Sequence, residues 1–519
     1  MRKLLIVCFY ELKDYLVSIS DSFSKKYRWD VVAYPLYMYC FDKYSKIDNY
    51  ADHMSEFFKK EKPDVVLWWF ADVSTSLITR IRNENPDPFY IIYNYSDPMN
   101  ISKMFLDRCH IFDHVLTVCQ HTLPIYKMQA KNKYVDFFPF GFDPDVFYQR
   151  TTSKELATLD RKYESDVSFI CDSMFMDQPD QVIDRKKIIE QIYEYCKTNG
   201  LIFSVYGPDF LGHFAKDSYR GDVKYADIPA VATLSKINIV SHPDSRKKLG
   251  LCNPNLLPIM ACGGVVLMDK INGAEMFFNE NKKTVFMFDK DSLLSKMSDI
   301  LNLYKNDTVL LNEIKQNAIK FSGQYNWGSF AEKIYLRYVQ DRFDGEFYAR
   351  VYNISADTKI ERLQKIWYQS HTKGEFQIPF KFTVPTNFDI ENYRLKTSLK
   401  EDTTSNEAVY IHWYVNGKDK DYIRRGGRKG QPGTNLISER SIGTTVAPGS
   451  GDGSPCELSG SSYNLPTTKL FELFSGFNMM YVSSNVEDGL KTIERVSKQN
   501  PRLKINEALD KYIDLSYNE

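Results

Sequence analysis

Three basic side chains in a row, Arg246, Lys247 and Lys248, stand just ahead of an Asn253-Pro254-Asn255 loop and an apolar stretch that runs to Gly263 and Gly264. Backbone N–H groups at a helix start carry partial positive charge, and cations beside them would neutralise a diphosphate. The paired glycines would admit the close backbone approach that either packing or a ligand requires. The same residues also fit a plainer arrangement, in which the glycines end a helix and begin a strand while the basic triplet is a solvated loop. Two histidines hold matching places. His121 follows the apolar run HVLTVC and His242 follows INIVS, each just past an expected strand end, where ligands of α/β proteins collect. Either would serve equally as a structural histidine. Asp97, in Tyr-Ser-Asp-Pro, is a carboxylate able to take a proton, and it would also cap the turn that Pro98 favours.

Such groups need elements that hold them. Up to about residue 340 the chain alternates short apolar runs with longer charged segments: LLIVCF, VVAYPL, VVLWWF, FYIIYN and HVLTVC, then VSFICD, IFSVYG, INIVSH, GVVLMD and TVFMFD. Continuous apolar runs are what a sheet covered on both faces demands, and the spacing suits βαβ crossovers. The expectation is α/β: two doubly wound halves, 1–160 and 161–340, with the boundary between PFGFDPDVF and SDVSF. Ligands of open parallel sheets bind beyond the carboxyl ends of the strands, so the cleft that two such halves would face is the expected site. Trp68 and Trp69 are expected to pack in the sheet or at its end.

The 519 residues carry 67 basic and 67 acidic side chains, so net charge steers the chain toward neither nucleic acid nor an anionic membrane. At 43% hydrophobic and 26% charged residues it has the composition of a folded protein. The apolar runs fall far short of the ~20 residues that span a bilayer. The first run resembles a signal peptide, but Glu11, Lys13 and Asp14 interrupt it. Nine scattered cysteines without a C-x-x-C pair argue against a disulfide framework and a zinc site, and for a cytoplasmic location. The Asp-rich passage at 172–184 lacks the alternation of a calcium loop.

Beyond 340, the stretch from Phe343-Asp344 to Trp367 recurs from Phe388-Asp389 to Trp413. The expectation for 341–425 is a tandem of small helical repeats with aromatic cores. Residues 426–465 read as a Gly/Ser-rich linker and 466–519 as a helical tail.

MACGGVVLMD with the Gly-Ala-Glu after it, and DHVLTVCQHTLPIYKMQAKNKYVDFFPFGFDPDVF before it, resemble glycosyltransferases of the GT-B fold. Within them the likeness is to the CgeB-type, spore-maturation branch of the group 1 enzymes. SDVSFI, Arg185 opening a helix, and VYGPD fall in that branch's order, and the resemblance covers about 300 residues from near Asp64 to Trp327. It implies two Rossmann-like domains facing a cleft and a nucleotide-sugar donor such as a UDP- or GDP-sugar held by the second. It also implies a glycan, protein or lipid-linked acceptor held by the first, and hexosyl transfer with no obligatory metal and no cofactor. On the donor side it places Tyr206, Gly207, Asn253, Pro254 and Glu275, with His242 and the Arg246–Lys248 cluster in the same loop region. On the acceptor side it places Asp97, Gln120, His121, Gly141 and Asp143, of which Asp97 and His121 are the candidate bases for an inverting route. The C-terminal units are similar to repeats appended to some microbial enzymes of surface-glycan pathways.

The chain departs from the pattern where related enzymes carry two glutamates eight residues apart, one of them on the donor ribose. Here those positions hold Gly250 and Pro258, and Asn255 replaces a common Arg. Loss of such a carboxylate costs ~1–3 kcal/mol of donor affinity. A GT-B module that binds a glycan or protein partner without catalysis is therefore the alternative expectation.

Overall fold

The computed structural model describes residues 2–416 apart from 9–12, 37–46, 70–73, 96–105, 107, 130–133, 172–178, 243–246, 249, 274–283, 383, 385–387 and 398–404. Two compact units are present. Among the described residues one comprises those up to Phe23 with Val31–Ala331, and the other Ser24–Asp30 with Glu332 to Asn416.

The first unit contains both sheets. Strands β1 (Lys3–Cys8), β2 (Asp30–Pro35), β3 (Val65–Trp68), β4 (Phe89–Asn94), β5 (His114–Thr117) and β6 (Tyr134–Phe137) lie in the order β2-β1-β3-β4-β5-β6. The pairs β1–β3, β3–β4, β4–β5 and β5–β6 are parallel. Strands β7 (Ser165–Ile170), β8 (Phe203–Tyr206), β9 (Ser235–Val240), β10 (Val266–Asp269) and β11 (Phe286–Phe288) form the second sheet, ordered β11-β10-β9-β7-β8 and parallel in every pair. These are the two doubly wound halves that the apolar runs imply. Every residue of β3, β4 and β5 is buried. In the second half, alternate residues along β10 feed opposite cores: Val266 and Met268 pack on one face, Leu267 and the preceding Val265 on the other. That division explains the unbroken apolar runs, because a parallel sheet is covered on both sides. Strand β6 escaped the sequence reading. It is an edge strand with Asp136 at its third position, and that carboxylate pairs with the buried His114 ring at 3.0 Å.

The segment after β6 carries the Pro-Phe-Gly-Phe-Asp-Pro motif. The Phe142 carbonyl accepts the Trp327 N–H at 2.9 Å, and the buried indole of Trp327 covers Gly141 so closely that a Cβ there would lie 2.7 Å from Trp327 Cε3. Trp69, Phe140 and Phe330 surround the same indole with ring centroids 5.4 to 5.6 Å away. Gly141 is thus buried under a ring and does not line an acceptor surface, which corrects that expectation. Asp143 braces the following turn. Its Oδ1 accepts the Asp145 N–H at 2.9 Å, and burial raises its carboxyl above the usual range. Trp68 and Trp69 are fully buried, as packing residues of the sheet end.

In the second unit, helices Gly345–Val351 and Ile360–Thr372 are followed by helices Ile390–Thr397 and Asn406–Asn416. Asp344 accepts the Phe347 N–H at 2.9 Å, and Asp389 accepts the Asn392 N–H at 3.2 Å. Phe343 packs on Tyr348 as Phe388 packs on Tyr393, and Trp367 and Trp413 are both buried. The recurring letters thus build the same capped helix start and the same ring pair twice. The expected linker at 426–465 and tail at 466–519 lie outside the described residues.

Within this unit Glu332 joins Lys26 Nζ at 2.9 Å and His371 Nε2 at 3.4 Å. The His371 hydrogen bond, with help from Lys26, pulls its carboxyl down to about 2 against the cost of burial. A depressed carboxyl contributes stability above its unfolded value of 4.5 and loses it as pH falls toward 2. Melting followed against pH should fall more steeply over that window in the native chain than in Glu332→Gln. The neutral-pH difference should be at most about 1 kcal/mol, since the group is partly screened by water. Gly141→Ala should cost about 1–3 kcal/mol in denaturant unfolding, because the indole has nowhere to retreat.

Candidate functional site

Strand β5 ends in a short turn that its own side chains fix. Thr117 Oγ1 accepts the Cys119 N–H at 3.0 Å and lies 3.0 Å from Thr122 Oγ1, whose hydroxyl donates to the Cys119 carbonyl at 2.9 Å. The single turn Gln120–Thr122 then leads into helix Leu123–Gln129 and leaves Gln120 and His121 partly exposed. The His121 ring lies against loops that follow β9 and β10 of the second sheet. A Cβ on Gly250 would come within 3.1 Å of His121 Cδ2, and one on Gly273 would overlap the ring at Nε2. Both glycines take positive φ, +69° and +72°, a region where a side chain costs strain. The two loops are stitched together. The Lys247 carbonyl accepts N–H groups of Gly250 at 3.2 Å and Asn272 at 2.8 Å, and Asn272 Nδ2 donates to the Lys248 carbonyl at 3.3 Å. Loops from the carboxyl ends of β5, β9 and β10 therefore converge on one histidine, in the crevice that open parallel sheets reserve for ligands.

Immediately beneath lies a polar network at the same strand ends. Asp269, the last residue of β10, accepts the His242 backbone N–H at 2.9 Å and faces His242 Nδ1 at 2.5 Å, while Lys247 Nζ stands 3.4 Å from its other oxygen. His242 Nε2 accepts the Asn253 N–H at 2.9 Å. An acceptor at Nε2 places the ring proton on Nδ1, directed at Asp269. Asn253 in turn donates from Nδ2 to the Ser241 carbonyl at 3.2 Å and accepts the Asn255 N–H at 2.9 Å. The fully buried His242 ring spends both nitrogens inside the protein, so it supports the loop and offers neither to a donor.

The other expected donor residues divide. Lys248 is exposed at the crevice loop, and Lys247 is shared with Asp269. Asn253 and Pro254 lie in the loop before the helix Leu256–Ala261, partly exposed. Gly263 and Gly264 are packing residues. Their N–H groups close the helix on Met260 and Ile259, and a Cβ on Gly264 would lie 2.7 Å from Ile259 Cγ2. Tyr206 is buried in the core beside Tyr163, with its hydroxyl pushed up by burial, so it does not face an open donor pocket. Gly207, at φ +134°, is wedged where a Cβ would stand 2.6 Å from the Cys171 carbonyl. Asp97, Arg246 and Glu275 lie outside the described residues. Sequence reasoning missed Asp269, Asn272 and Gly273. The signal was present in a carboxylate closing the run VLMD and a glycine following Lys-Ile-Asn, but only the fold shows what they touch.

Among the described residues no cluster of three His, Cys, Asp or Glu could hold a metal, and no helix is long and apolar enough to cross a membrane. Burial pushes the thiols of Cys252 and Cys262, which flank the helix Leu256–Ala261, up to about 12, so neither is a nucleophile at neutral pH.

Residues 185–335 match the family described as "Glycosyl transferase-like". No curated protein matches the chain. Solved structures similar to it include sucrose-phosphate synthase from Thermosynechococcus elongatus, 11% identical with a TM-score of 0.47 over 66% of this chain and 99% of that one. A glycosyltransferase from Rickettsia africae ESF-5 is 14% identical, TM-score 0.47, over 65% and 98%. Anabaena HepE in complex with UDP is 13% identical, TM-score 0.45, over 64% and 98%. At these identities no residue role passes from them to this chain.

The contact between His121 and Gly273 can be measured. Gly273→Ala should destabilise by about 1–3 kcal/mol through overlap with the ring. In the double variant with His121→Ala the overlap should vanish, leaving about 1 kcal/mol of backbone strain. Denaturant unfolding of the four proteins gives the coupling, and strict additivity would show that the two loops do not meet in solution.

Proposed function

We propose that this chain is a glycosyltransferase that moves a hexose-type sugar from a nucleotide-sugar donor to a glycan, protein or lipid-linked acceptor without an obligatory metal. The observation that carries the reading is the place of the family match. The matched residues 185–335 contain β9, β10 and the loops of their carboxyl ends, where the first half contributes His121. A family likeness to glycosyl transfer and a built crevice thus coincide.

In such a transfer the bond from the anomeric carbon to the diphosphate breaks and its electron pair leaves with the phosphate. The acceptor oxygen forms the new bond and gives up its proton. Lys248, with Lys247 behind it, supplies positive charge on the side where the leaving group develops negative charge. In an inverting route His121 would take the acceptor proton, whereas in a retaining route the leaving diphosphate itself can take it. Gly250 stands where related enzymes place a glutamate, and here the His121 ring and the Asn272 carbonyl fill the space beside it. A side chain at position 250 would therefore have to displace the His121 ring, so donor recognition in this chain would rest on other contacts.

Thermal unfolding against UDP, GDP, dTDP and CMP, with and without EDTA, tests the reading. A nucleotide at 100 times its dissociation constant stabilises by about 2.7 kcal/mol, a shift of a few degrees. Selective stabilisation by one nucleotide, undiminished by EDTA, is the expected result; no stabilisation by any would overturn it. With transfer in hand, His121→Ala should lower kcat by about 10²–10⁴-fold if the ring is the base.

A further inference from the structure

We propose that Asp269 and His242 are positioning residues that hold Lys247 and the 250–255 loop in the form that receives the donor diphosphate, an inference that rests on the glycosyltransferase reading above. The argument starts from hydrogen-bond direction. The Asn253 N–H can only donate, so His242 Nε2 must accept it, and the ring proton then lies on Nδ1 toward Asp269. Asp269 is held in turn by the His242 backbone N–H and by Lys247. One carboxylate at the end of β10 thereby fixes a tautomer, the tautomer fixes a backbone amide two residues before the Asn255 cap, and Asn253 fixes the Asn255 amide through its own side chain. The same carboxylate restrains the Lys247 ammonium. Every link is buried or half-buried, so water competes poorly for it.

The arrangement makes a chemical prediction that general packing does not. A glutamine at 242 can place its Oε1 where Nε2 stood and still accept the Asn253 N–H, whereas an asparagine reaches only the Nδ1 position and loses that bond. His242→Gln should therefore keep nucleotide affinity within about threefold of the native chain, and His242→Asn should lose roughly tenfold. In a transfer assay the loss should appear in the donor KM more than in kcat, because the relay orders the loop and does not touch the reacting atoms.

The test is calorimetric titration of native, His242→Gln and His242→Asn chains with UDP, or with whichever of GDP, dTDP and CMP stabilises the native protein. It is joined to hydrogen exchange at the Asn253 amide of the unmodified chain. The expected result is slow exchange at Asn253 and the order native, Gln, Asn in affinity. Fast exchange at that amide in the native chain overturns the relay even if a variant fails to fold. Equal affinities for the two variants, or equal losses, overturn it while leaving the transferase reading intact. A native chain that binds none of the four nucleotides overturns both.

Discussion

Strands β1 and β3 to β6 of the first half and all five strands of the second run parallel, and that constraint shapes much of the rest. A parallel strand cannot be joined to its neighbour by a hairpin, so each connection must cross a face of the sheet, and the crossings cover both faces with apolar side chains. Strands such as β3 and β4 are consequently buried from end to end. Polar side chains are confined largely to the strand ends, and the loops at the carboxyl ends are where Asp269, His242, Asn253 and His121 are found. The crevice is the residue of a packing problem before it is a site of chemistry.

What distinguishes this crevice is how it exchanges side chains for backbone. Gly250 and Gly273 give up their own side chains so that an imidazole from the other sheet can lie against them. Beneath it, Asp269 concentrates three demands on two oxygens, from a ring, an amide and an ammonium. Breaking any one of these contacts would leave a buried carboxylate short of a partner, the costly case for a charge out of water.

The aromatic pocket around Trp327 plays the corresponding part at the start of the second half. Gly141 is small because an indole lies on it, and Phe142 offers its carbonyl to that tryptophan's own amide. The connection between the sheets is therefore packed, and Asp143 continues it into a capped turn. In the second unit the same economy recurs, with one aspartate and one phenylalanine–tyrosine pair opening each helix pair.

The described strands were legible because burial on both faces leaves runs that no amphipathic helix or half-exposed strand would show, and among them only β6, with Asp136 in it, was hidden. In the second unit the sequence showed only the recurring Phe-Asp and Trp, and the capping by Asp344 and Asp389 of amides three residues away came from the structure. The site was legible only as a region. His121 and His242 read as residues past strand ends, and Lys247 and Asn253 as a basic and polar loop before a helix; all four lie at the carboxyl ends of β5 and β9. Their partners come from far along the chain: Gly250 and Gly273 for His121, Asp269 for His242 and Lys247. Which nitrogen of His242 holds a proton, and whether Gly264 faces a ligand or Ile259, depend on distances that no spacing encodes. Sequence determined which segments must be strands and where polar residues could survive. Tertiary structure alone decided which of them meet, because a parallel fold brings together strand ends separated by the full length of a crossover.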